Sequence, residues 1–302
     1  EVEFVLKQVP DNVDAIALKG AVLLKKKDLN GAQVESDKAL LLDPKHIDAI
    51  SLKVVVYMAK EQSEAARLFI KQAIAAQPDK LELQLLQLQV DIKSGNELAI
   101  ESTYKALIEN FSGKPEFTYA LAQFYNSTSR DAEARAVLQT LADNSSELAP
   151  KLVLLDYLTK KDKAAAKLFL AKLIEERPEE VALYLRQANM FVSEQNFDEA
   201  KKSLLWVVEH HEEKKEGLQA KVILAKLAAK DEDNAAARTL VEEVLAVDVR
   251  HYDALLLKAR LNLIEAQYDQ AITDLRGILR DYSESDEAMV LMAQAYLKKE
   301  SP

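Results

Sequence analysis

A small residue returns along this chain at Ala32, Ala66, Ala99, Ala134, Ala166, Ala200, Ala237 and Ala271, in steps of 34, 33, 35, 32, 34, 37 and 34. A period this steady is the mark of architectures in which one supersecondary unit stacks on its own copies. Pro10, Pro44 and Pro78 keep the same 34-residue interval. Two longer phrases agree with it. "ALLLDPKHIDAISLK" from Ala39 and "VLAVDVRHYDALLLK" from Val244 repeat Asp, His, Asp-Ala, Leu and Lys in order, 205 residues apart. That distance is six periods, less two residues placed before Ala149 and plus three after His210.

Inside one period the apolar spacing is helical. Ala49, Leu52, Val56 and Tyr57 form one run, and Ala66, Phe69, Ile70, Ala73 and Ile74 a second, each at three- and four-residue intervals. Polar breaks such as "AKEQSE", "KSGN" and "SEQNFDE" divide the two runs. The unit is a helical hairpin whose apolar faces can be covered only by its neighbours. Composition points the same way. With 6 Gly and 7 Pro in 302 residues, turns are too few for a sheet protein. A 49% hydrophobic content is enough for a core.

The residues that recur resemble the tetratricopeptide repeat family. That family carries a small residue midway along its first helix, a large one three residues later, and alanine in the second helix. A small or apolar residue follows, and proline closes the unit. Gly20, Leu23, Ala32, Ala39 and Pro44 fit this, as do Tyr57, Ala66, Ala73 and Pro78. So do Ala122, Tyr125, Ala134 and Leu141, then Ala188, Phe191, Ala200 and Val207, then Ala259, Ala271 and Ile278. The departures are a missing tryptophan near each unit start, several missing prolines and a third unit out of step by one. The resemblance implies an all-α right-handed superhelix, an α-solenoid of about eight hairpins with a half-repeat at each end. It divides the single array 1–302 into a partial repeat 1–10, full repeats near 11–44, 45–78, 79–112, 113–144, 145–178, 179–215, 216–249 and 250–283, and a final helix 284–302.

Known chemistries find little footing. A net charge of −10 and a pI near 5.1 disfavour nucleic acid, which is held by clustered Lys and Arg. With no cysteine there is no disulfide, thiolate metal site or Cys nucleophile. No run approaches 18 apolar residues, so no segment is expected to enter a membrane. Phosphate loops, G-x-S-x-G and H-E-x-x-H are absent from the sequence. His46 and His251 share one repeat position, at the turn into a first helix, where a capping or solvated role is expected. His210 and His211 are adjacent and so point to different helix faces, unlike a ligand pair. "EERPEE" and "HEEKKE" sit at corners, where charge is a wet surface. "NST" at Asn126 and "NSS" at Asn144 match glycosylation acceptors, a pattern that often arises by chance. Lys258 and Asn262 alone match the start of the family's carboxylate clamp, out of phase and with no repeat to complete it. No enzyme activity, cofactor or metal is expected.

In this family the first helices line a concave groove. Carried over by position, its inward residues are Val55 and Met58; Leu85, Gln89 and Ile92; Tyr119, Gln123 and Asn126; Leu185, Asn189 and Val192; Lys226; and Leu256 and Arg260. Ser51, Leu155, Leu158, Val222 and Leu263 fall on the same stripe. The alternative for such a stripe is packing between helices. As an open groove it would accept a helix or extended peptide of a protein partner. The expected function is a non-enzymatic scaffold for protein–protein interaction. Two alternatives stand beside it: part of a bacterial envelope or polysaccharide-export assembly, or the targeting arm of an enzyme whose catalytic domain lies outside 1–302. Compartment is left open between bacterial periplasm or envelope and cytoplasm. The last helix holds Met289, Val290, Met292, Tyr296 and Leu297, more apolar surface than one neighbour covers. Self-association through that end, or continuation of the native chain past Pro302, is expected; continuation is favoured because the chain also starts inside a second helix.

Overall fold

The computed structural model describes residues 1–300, and among them it shows eighteen α-helices and no strand. In chain order they are α1 (Val2–Gln8), α2 (Val13–Lys25), α3 (Leu29–Leu42), α4 (Ile47–Ala59), α5 (Ser63–Ala76) and α6 (Leu81–Ser94). Next come α7 (Glu97–Asn110), α8 (Glu116–Ser127), α9 (Asp131–Asn144), α10 (Leu148–Lys161), α11 (Lys163–Glu176) and α12 (Val181–Ser193). The remainder are α13 (Phe197–His211), α14 (Lys215–Lys230), α15 (Asn234–Val247), α16 (Tyr252–Ile264), α17 (Tyr268–Asp281) and α18 (Asp286–Glu300). From α2 on, even-numbered helices are first helices of hairpins and odd-numbered ones second helices.

Local chemistry sets these boundaries. Asn12, Asp28, Asn96, Asp162 and Asp233 each accept a backbone N–H three residues on, as N-caps. His46 and His251 do the same with Nδ1, accepting from Ala49 N and Ala254 N. Seven hairpins turn on a residue with φ between 57° and 67°: Lys27, Glu61, Gly95, Ser129, Gln195, Glu232 and Ala266. The turn between α10 and α11 is Asp162 alone. That turn is two residues shorter than the three-residue turns of most other hairpins. Two compact units meet in sequence at the same point, between Lys161 and Asp162.

Within each unit the crossing of first on second helix is made by small residues. Ala32, Ala66, Ala134, Ala200, Ala237 and Ala271 are all fully buried. The third hairpin corrects the expected ladder: Ile100, 7% exposed, takes the crossing, and Ala99 is a half-buried neighbour held in the cap of α7. Steps of 34 then run unbroken from Ala32 to Ala134. Gly20 shows how close these contacts are, since a Cβ there would lie 2.3 Å from Leu52.

After six positions of the ladder the next residue pairs with the end of the next first helix. Lys60 donates to Gln33, Arg67 to Ser94 at 3.0 Å and Arg130 to Glu101 at 2.6 Å. In the second unit Lys167 pairs with Glu194, Lys201 with Asp231 and Arg238 with Glu265. Each such surface pair stabilises little, but together they repeat at the same seam and fix one register.

First helices α2, α4 and α6 touch in succession, as do α12, α14, α16 and α18. No two second helices of a unit come within 8 Å, Cα to Cα. First helices thus form the closer layer, and clefts open between second helices. From α6 to α10 the first layer is looser: no Cα of α6 lies within 8 Å of α8, nor any of α8 within 8 Å of α10. At the far end, α18 buries Ala288, Leu291 and Ala295 and leaves Met289, Val290 and Leu297 exposed.

Candidate functional site

The parting of α8 from α10 makes a cleft of about 310 Å³ on the first-helix side of the Glu1–Lys161 unit. Tyr119, Gln123 and Asn126 line its α8 wall, and Val153, Asp156, Tyr157 and Lys160 its α10 wall. Ala122 of α8 and Leu138 of α9, both buried, lie at the floor. The α10 wall is braced from behind. Tyr157 donates its hydroxyl proton to the Asp131 carbonyl at 2.9 Å, and Lys161 pairs with the Asp131 carboxylate. Burial raises the Tyr119 hydroxyl above the ordinary tyrosine pKa, and the nearby carboxylates of Glu147 and Glu116 add to it. At neutral pH the cleft thus presents neutral phenols and amides over an apolar floor.

Gln123 and Asn126 are exposed and Tyr119 half-buried, so three expected site residues meet here. The expected α10 partners do not. Leu155 and Leu158 are buried at 1% and 2%. The full period of 34 from Tyr119, Gln123 and Asn126 leads to Val153, Tyr157 and Lys160, the residues present in the wall.

Elsewhere the stripe separates into surface and core. Val55 and Ile92 are exposed at 41% and 53%, Gln89 is exposed and Leu85 half-buried. Met58 is core, packed with Ile50, Val54, Ala66 and Ile70. Leu185 and Leu256 are core too, 8% and 2% exposed. The former packs with Leu204 and Leu224, the latter with Leu275 and Leu291. These three correct the expected groove: each side chain is covered by the following hairpin. Asn189 is exposed and Val192 half-buried. Lys226 pairs with Asp253 at 2.9 Å and Arg260 with Glu287, so the expected basic end is neutralised by the first turn of the next first helix.

Among the described residues, Asp14, His46 and Asp48 are the one set whose donor atoms have metal-like spacing, all within 4.8 Å. Both ring nitrogens of His46 are already engaged, Nδ1 in the cap and Nε2 at 2.9 Å from Asp14. His210 stacks on Trp206 at 4.1 Å between ring centroids. No helix among the described residues is long and apolar enough to cross a membrane.

Residues 223–286 match the family model of the tetratricopeptide repeat. Over that segment the chain is similar to tetratricopeptide repeats. Such repeats typically serve as scaffolds for protein–protein interaction, without catalysis of their own. Comparison with curated proteins gives no match. Among solved structures, a tetratricopeptide repeat protein from Parabacteroides merdae is 13% identical, with 94% of this chain and 98% of that one covered and a TM-score of 0.40. The C-terminal part of a repeat-containing protein from Cytophaga hutchinsonii is 15% identical, over 79% of this chain and 98% of that one, with a TM-score of 0.47. The P58(IPK) tetratricopeptide domain is 14% identical over 96% and 100%, with a TM-score of 0.37.

Proposed function

We propose that the tetratricopeptide array is a non-enzymatic scaffold that holds a peptide segment of a partner protein in the cleft between α8 and α10. The observation that carries this is the pairing of carboxamides with an apolar floor. A peptide backbone needs a donor and an acceptor at each contact, and Gln123 and Asn126 supply both from one helix face. Ala122, Leu138 and Val153 leave an apolar recess below them for one side chain. Lys160 and Asp156 put one charge of each sign at the rim, which favours a polar or mixed segment over a strongly charged one. Val55 and Ile92 offer further apolar contact along the same unit.

Selection from a random peptide display library tests the reading. Peptides enriched on the wild-type chain are expected to lose most of their binding to Gln123→Ala/Asn126→Ala. Enriched peptides that bind this double variant as tightly as wild type would overturn the assignment.

A further inference from the structure

The clefts between second helices differ, and the chain itself shows what closes them. In the sixth hairpin, Tyr184 of α12 and Trp206 of α13 stack at 3.7 Å with their planes 15° apart, and His210 stacks on the outer face of the indole. One hairpin later the same two positions are Lys221 and Glu243, ion-paired at 2.7 Å. In the fourth hairpin they are Thr118 of α8 and Thr140 of α9, and the stack's histidine is replaced by Asn144. Two short hydroxyl side chains there leave open the space that two aromatic rings fill elsewhere. The result is a cleft of about 460 Å³ between α7 and α9, with Thr118 and Thr140 among its lining. Ile108, Leu121, Val137 and Leu141 make its wall and floor. Thr118 is 5% exposed, a buried hydroxyl at the base of an aliphatic recess. An aliphatic cavity of only ~150 Å³ already holds a benzene ring.

We propose that this cleft is a receptor site for the tryptophan side chain of a protein partner, distinct from the first-helix cleft and independent of its assignment. The ring would lie where Trp206 lies in the sixth hairpin, against Ile108, Val137 and Leu141. A hydroxyl near the base offers an acceptor to an indole N–H, which a buried indole requires. Opening to solvent along the outer side suits a side chain that remains attached to a backbone.

The test uses the whole chain with isotope-labelled Ile, Leu and Val methyl groups. N-acetyl-tryptophanamide, a Gly-Trp-Gly peptide, free indole and N-acetyl-alaninamide are titrated separately. Both tryptophan probes are expected to shift the Ile108, Leu121 and Val137 methyls saturably in the millimolar range, and the alanine probe to shift none. Thr140→Trp fills the cleft from within and is expected to weaken the tryptophan probes by about tenfold or more. Should that variant fail to fold, Thr118→Tyr blocks the same space from the other wall with the same expectation. Gln123→Ala/Asn126→Ala must leave this binding unchanged, which separates it from the first-helix site. Absence of shifts at the solubility limit, equal binding to the filled variant, or binding of free indole alone would each overturn the proposal.

Discussion

Lys221 and Glu243 face each other at 2.7 Å from the two positions that Tyr184 and Trp206 hold one hairpin earlier. The repeat fixes where the two side chains meet and leaves free what chemistry joins them. Lys221 has a side chain only 7% exposed, which by itself would lower its pKa; hydrogen bonds to Glu243 and Glu212 outweigh burial and raise it. Removing the Glu243 charge leaves a buried ammonium with Glu212 alone. Glu243→Gln is expected to cost roughly 1–2 kcal/mol, less than for a fully buried pair because Glu243 is half exposed. Lys221→Tyr/Glu243→Trp, which rebuilds the stack, should return stability to within about 1 kcal/mol of wild type. Urea unfolding of the three chains decides it; a double variant weaker than the single one would refute positional equivalence.

Glu101 supplies a pH-dependent term. Its carboxylate accepts from Arg130 at 2.6 Å and from Lys105, and these bonds hold its pKa down at about 2. A depressed acid adds stability that is complete above its unfolded pKa, near 4.5, and is lost as pH falls toward 2. Wild type should therefore melt above Glu101→Gln by a constant margin from pH 6 to pH 8, a margin that closes between roughly pH 4.5 and 2. A margin unchanged down to pH 3 would show that Glu101 acts by shape and not by charge.

Two helical glycines should respond in opposite directions. A Cβ on Gly217 would sit 1.9 Å from the His211 carbonyl oxygen, where the lengthened α13 crowds the start of α14. Backbone cannot step aside as a side chain can, so Gly217→Ala is expected to cost about 3 kcal/mol or more. Gly277, inside α17, has nothing within 4 Å of that point. Gly277→Ala should gain about 0.5–1 kcal/mol through helix propensity alone. Thermal melting of both variants checks the pair.

The sequence made the hairpins legible because spacing survives substitution: alanines, prolines and paired apolar runs recur whatever lies between them. It also brought Tyr119, Gln123 and Asn126 to one wall, since an uninterrupted helix face follows from periodicity alone. What periodicity could not decide was the side of a first helix that meets solvent. These helices are apolar on faces toward both neighbours, so Met58, Leu185 and Leu256 look like Val55 and Ile92 until the next hairpin is in place. Leu155 and Leu158 of α10 belong with them, being buried where the stripe placed them in the groove. Lys226 and Arg260 read as a basic end because their acids lie 27 residues ahead, on a different helix. The threonine pair at 118 and 140 carries no signal of its own. It becomes informative only beside Tyr184 and Trp206.

The alanine crossings give the most direct test of the period itself. Ala66 and Ala200 are both fully buried, and each is packed in the core cluster of its own hairpin and the next. Leucine at either point adds three carbons where neighbouring helices already touch, and is expected to cost about 1–3 kcal/mol. Ile100 shows such bulk accommodated where it is native: it is 7% exposed, in a core cluster that joins α6, α7 and α8. Ile100→Ala should therefore not behave as a relief of strain. Its side chain packs with Leu88, Leu107 and Phe117, and its loss should cost about 2–4 kcal/mol by leaving a void. Opposite substitutions at equivalent positions would then both destabilise, because each crossing is fitted to its own separation. Denaturant midpoints for Ala66→Leu, Ala200→Leu and Ile100→Ala measure this, and a stability gain in Ile100→Ala would show that the bulkier crossing is a defect and not a fit.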